Sequence, residues 1–153
     1  MRLRGTATYR DILEAAYGHR MRIMAAVSRT LLGWLFVHAG FRVLRKPGPA
    51  AAASAPTLAL VREHISGLPD DIIVVRANAA VHVVAGSLLI AGCVPQAAAL
   101  TLAGSLVPTT VAGHGFWTIS DPVARQQQRA HFDKNLAIFG GLLAAAAIRP
   151  ARR

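Results

Sequence analysis

Between Arg76 and Asp121 the chain carries no formally charged residue. Read as one helix, Ile72–Trp117 would be far longer than the ~30 Å hydrocarbon core of a bilayer, at ~1.5 Å per residue. Cys93-Val94-Pro95-Gln96 lies in its middle, and proline breaks a helix by removing a backbone donor. Split there, the run gives two segments of about the ~20 residues that a crossing needs. The stretch therefore predicts a membrane hairpin.

Composition agrees. Hydrophobic residues make up 54% of the 153 and charged residues 16%, against roughly 25% charged in soluble domains. Mean hydropathy is +0.41. The formal charge is +10, which can suit nucleic acid or anionic lipid. Here the arginines gather at the termini and beside apolar segments, which fits juxtamembrane charge on a lipid bilayer and argues against nucleic acid. The single cysteine, Cys93, leaves no internal disulfide and no dithiol chemistry.

Residues 1–24 read as a basic N-terminal segment, with Thr8-x-x-Asp11 as a possible capping box. Tyr9, Ile12, Leu13, Ala16 and Tyr17 fall on one helical face, so an interfacial amphipathic helix and a frayed basic tail are both open. The membrane domain spans 25–149, with helices at about 25–44, 72–92, 97–117 and 129–149, and 150–153 is a basic tail. The expected fold is thus all-α, an integral membrane bundle of four transmembrane helices. The basic start and first apolar run superficially resemble a signal peptide. Arg42, Arg45 and Lys46 interrupt the path to a cleavage site and favour a retained helix.

In the first crossing, Gly33 and Gly40 form a face for close packing. Trp34, His38, Phe41, Arg42 and Arg45 form another. Residues 45–71 are a proline-containing linker in which Leu58, Val61, Ile65 and Leu68 recur at helical spacing, as in a short helix lying on the membrane. The third crossing is weakly apolar, with Thr101, Ser105, Pro108, Thr109 and Gly113, and inserts best with these residues facing inward. In the fourth, the apolar run Leu136–Ile148 spans only ~20 Å. Its start must lie near Arg129 or His131, drawing Lys134 and Asn135 inward. Gly140 and Gly141 are expected to make close contacts.

Four crossings put both termini on one side. Arginines at 2, 4, 10, 20, 22, 149, 152 and 153 outnumber the three basic residues of each opposite loop, which predicts cytoplasmic termini in the inner membrane. His38, Arg42, Arg76, Asn78, His82, His114, Lys134 and Asn135 all fall near the side opposite the termini. Ionisable groups in a membrane usually face the bundle interior. Such a cluster suits a quinone head group, a small sulfur oxyanion or a lipid phosphate. Alternatively, the cations snorkel to head groups and the histidines bond locally. His38, His82 and His114 on three helices also raise metal or haem, although no two share i, i+4 spacing. No catalytic constellation is present in the sequence.

Arg29-Thr-Leu-Leu-Gly-Trp-Leu-Phe-Val-His-Ala-Gly40, Val94–Thr110, Gly113-His-Gly-Phe-Trp117 and His131–Leu143 together resemble the DoxX family of small bacterial membrane proteins. The stretch from Lys134-Asn135 to Gly140-Gly141 is the most specific piece. The resemblance implies four transmembrane helices. It also implies an accessory role in sulfur-compound oxidation or oxidative-stress complexes with membrane or soluble redox partners, since DoxX-like DoxD proteins are subunits of thiosulfate:quinone oxidoreductase. The alternative is a non-catalytic scaffold, or a binder of lipid or a small molecule.

Overall fold

The computed structural model describes residues 8–148, so the arginines at 2, 4, 149, 152 and 153 lie outside it. Among the described residues every regular element is helical: α1 Tyr9–Arg45, α2 Gly48–His64, α3 Asp71–Ala91, α4 Pro95–Gly113 and α5 Pro122–Ala147, with a 3-10 turn at Phe116–Thr118. By length and apolar composition, two of them can cross a membrane, within Leu13–Arg45 and Asp71–Ala91. The 19-residue α4, with its hydroxyls and Pro108, and α5, with its polar first half, fall short of that combination of length and hydropathy.

The chain does not break at Met24. Its 37-residue α1 is about 55 Å long at ~1.5 Å per residue, and it holds no proline. Leucine, alanine, arginine and methionine favour the helix throughout residues 9–24, and exposed Arg10 and Glu14 pair at 3.3 Å, one turn apart. Tyr9, Leu13 and Tyr17 are exposed, so this part extends beyond the bundle.

Antiparallel packing of α1 on α3 is the main contact of the fold. A Cβ on Gly40 would lie 2.6 Å from the Ala79 carbonyl oxygen and 3.0 Å from His82 Cβ. Small residues let the two backbones approach, and Phe36 between the glycines is buried. The expectation for the other pair differs: a Cβ on Gly140 meets nothing within 4 Å, and one on Gly141 makes ordinary contact with Leu32. Gly86, on α3, is the partner of Gly33, whose Cβ would lie 2.6 Å from the Gly86 carbonyl oxygen.

The hairpin reverses at Gly92 and Val94, both with positive φ (69° and 44°). Glycine adopts this at no steric cost, whereas Val94 is held there by the tight turn into Pro95. The α3 cap is the Asp70 carboxylate, which accepts from the Ile72 amide at 2.9 Å. Asp121 caps α5 in the same way through the Ala124 amide at 2.7 Å, so that helix starts well before Arg129.

Around the core residues Phe36, Ala85, Leu89, Leu102, Leu106 and Leu142, the outward faces are also apolar. Val84, Leu88, Leu100, Val107, Leu136 and Leu143 are all exposed.

The expected surface helix of the linker is α2, and it packs on α3 and α4. Its alanine-rich start buries Ala51. The helix ends at His64, which leaves Ile65 exposed in extended backbone. Arg62 ties this end to α3, donating to Asp71 Oδ1 at 2.6 Å and to the Pro69 carbonyl at 2.7 Å.

Candidate functional site

Close packing of α1 on α3 sets which face of each helix points inward. On α3, Val75, Ala79, His82, Gly86 and Leu89 are buried, the spacing of a packed helical stripe. Asn78 precedes His82 by one turn and shares its face. Both line a cavity of about 260 Å³. Ala39 and Val43 of α1, Ser54 and Leu58 of α2, and Pro108 and Thr109 of α4 complete its wall.

Asn78 is held by α4. Its Nδ2 donates to Thr109 Oγ1 at 3.0 Å, and its Oδ1 accepts from Ser105 Oγ at 2.6 Å. Thr109 in turn donates to the Ser105 carbonyl at 2.8 Å. The Ser105 and Thr109 hydroxyls stand one turn apart on α4, as the Asn78 amide requires. His82 is different. It is 7% exposed and its ring meets Phe36 edge to face at 5.0 Å, yet its buried Nε2 has no hydrogen-bond partner.

Asn135 is buried on α5 and donates to Thr110 Oγ1 on α4 at 3.1 Å. Thr110, Ser54, Gln128 and His131 were not singled out by sequence reasoning. A hydroxyl adjoining Thr109 was the available signal for Thr110, and no periodicity marked the others.

His114 closes α4 and bonds through Nδ1 to Gln128 Oε1 at 2.7 Å. Its ring stacks on His131 at 5.1 Å, and Lys134 Nζ stands 3.4 Å from His131 Nδ1. Beside them, Phe116, Trp117 and Phe132 meet edge to face. This second group lies at the α4–α5 end, away from the His82 cavity wall.

The predicted single cluster is therefore not formed. Asn78 and His82 come together. Asn135 and His114 belong to separate contacts between α4 and α5. His38, Arg42, Arg76 and Lys134 are exposed. His38 lies two residues from both Phe36 and Gly40, about 200° around the helix, and stacks on exposed Trp34 at 6.0 Å. Arg42 shares that outer face, where Arg45 covers the Phe41 ring at 4.3 Å. Arg76 and Lys134 each adjoin an inward residue, Val75 and Asn135, and adjacent helix positions point about 100° apart. The three histidines proposed for a metal do not share a site.

A family model described as DoxX matches residues 24–115. No curated protein and no solved structure matches the chain. The match runs from the later part of α1 to the end of α4 and contains the whole His82 cavity wall. Lys134-Asn135 and Gly140-Gly141 lie beyond it. With more than half of its length matched, the chain belongs to the DoxX family.

Proposed function

We propose that this protein is a multi-pass inner-membrane protein in which α1, α3, α4 and α5 cross the bilayer and both termini are cytoplasmic. It serves as a non-catalytic accessory subunit of a membrane redox complex, in sulfur oxidation or the oxidative-stress response, with a quinone as its candidate small molecule. The observation that carries the membrane reading is the inverted distribution of polarity. Asn78, Ser105 and Thr109, and then Asn135 and Thr110, satisfy one another between helices. The outward faces of the same helices carry large apolar side chains. Lipid selects this arrangement, because polar groups facing it go unsatisfied.

The accessory role draws on family membership and on how the interior polar groups are used. Asn78, Ser105, Thr109, Thr110 and Asn135 join helices to one another, whereas the buried Arg29 Nε and His82 Nε2 do not. Native mass spectrometry of the protein, extracted from its own membranes with lipids and neighbours retained, tests it. A quinone or a redox subunit bound in stoichiometric amount supports the role. A bare protein under conditions that preserve other membrane complexes defeats it.

The extended first part of α1 favours a second reading, a scaffold. Tyr9, Leu13 and Tyr17 stand exposed beyond the bundle. Deletion of residues 1–17 would then release a soluble partner while the bundle stays folded.

A further inference from the structure

We infer that the cavity between α1, α2, α3 and α4 is a binding site for a neutral, ring-sized molecule that presents a hydroxyl or carbonyl oxygen to His82. This deepens the proposed accessory role and rests on its membrane reading. Three observations define the ligand. The first is size: about 260 Å³ exceeds the ~150 Å³ cavity that holds benzene and falls short of the ~300–1,000 Å³ of drug-sized pockets. One substituted ring fits.

The second is polarity. His82 lines the cavity and is more than nine-tenths buried. Its Nε2 has no partner and is itself closed to water, so a ligand oxygen reaches it by a turn of the imidazole. A buried polar atom without a hydrogen bond is costly enough to favour that turn. Asn78 and Thr109 already bind each other and Ser105, so they cannot relieve it. A hydroxyl suits either imidazole tautomer, because it both donates and accepts. An amide nitrogen donates two hydrogens, and Asn78 uses one on Thr109, which leaves one for a second oxygen contact.

The third is charge. No lysine, arginine, aspartate or glutamate lines the wall. An anion would leave water for alanine, valine and leucine, with His82 and the uncharged donors of Asn78 and Ser54 to meet it, and the desolvation would go largely unrepaid. Arg42, Arg76 and Lys134, which suggested an anion in the sequence, are outside this wall. The cavity therefore selects against sulfur oxyanions and phosphates.

The test uses the full chain in lipid nanodiscs with ¹⁵N-labelled histidine and three probes of one shape: 4-ethylphenol, ethylbenzene and 4-ethylbenzenesulfonate. The His82 ring signals are identified by their loss in His82→Phe. The phenol is expected to shift them saturably. Ethylbenzene should bind about tenfold more weakly, the worth of one buried hydrogen bond, and the sulfonate should leave them unmoved. Ser54→Leu, which fills the cavity from α2 and spares the imidazole, should abolish the response, and it decides the matter if His82→Phe does not fold. An unmoved signal with the phenol, equal binding of ethylbenzene, an effective sulfonate or an unaltered Ser54→Leu response overturns the proposal. Alkaline extraction of the cell membranes checks the membrane reading separately: release of the chain without detergent refutes that reading, whatever His82 does.

Discussion

Gly33 and Gly86 face each other so closely that a Cβ on either would meet the other's carbonyl oxygen, at 2.6 Å from Gly33 and 2.8 Å from Gly86. Backbone oxygens cannot swing aside as a flexible side-chain end can. Gly86→Ala should therefore cost about 1–3 kcal/mol, the usual range for overpacking, and Gly33→Leu should cost more. Gly140→Ala, with open space around it, should be neutral or slightly stabilising. Thermal unfolding in detergent measures all three. Equal midpoints for Gly86→Ala and Gly140→Ala would contradict the close α1–α3 contact.

Asn78 makes two side-chain bonds to α4, through Thr109 and Ser105. Interhelical hydrogen bonds in membranes average about 0.6 kcal/mol and reach about 1.7. Asn78→Leu should lower stability by about 1–2 kcal/mol. Adding Ser105→Ala and Thr109→Val should cost little more, because their shared partner is already gone. Additive losses in this series would show that the three residues do not act as one network.

The proposed four crossings make a topological prediction. In a Cys93→Ser background, Arg4→Cys and Arg152→Cys should resist an impermeant thiol reagent in intact cells and react after permeabilisation. Ser66→Cys, in the α2–α3 loop, should react in intact cells. The reverse pattern would place the termini outside. Opposite behaviour of positions 4 and 152 would mean an odd number of crossings.

Lys134 is exposed beside His131 and absent from the His82 cavity wall. Lys134→Met should leave the response of His82 to 4-ethylphenol within twofold of wild type, a difference below about 0.5 kcal/mol. Loss of that response would restore the single converging cluster that the sequence suggested.

Arg62 joins the end of α2 to the start of α3 through Asp71 and the Pro69 carbonyl. Both side chains are partly exposed, at 36% and 25%, and such a pair is worth about 0.2–1 kcal/mol. Arg62→Met should change the unfolding midpoint little and increase proteolysis in the 65–70 loop. A large fall in midpoint would mean that α2 supports the bundle more than its exposed junction suggests.

The sequence by itself determined the helical class, the hairpin and the family. A charge-free run with proline in its middle admits few alternatives in lipid, and Gly92, Val94 and Pro95 place the reversal where proline requires it. It also determined that Asn78 and His82 share a face, since four residues make about one turn. Tertiary structure decided which faces meet. Periodicity puts His38 and Gly40 on different sides of α1, but the contact of Gly33 with Gly86 is what turns Gly40 inward and His38 outward. The height of a residue along its helix is readable from the chain, and this placed His38, His82, His114 and Lys134 at one end. Rotation about the helix axis is not readable in the same way, because it depends on small residues of another helix. That rotation left His82 enclosed without a partner, and sent the basic residues outward.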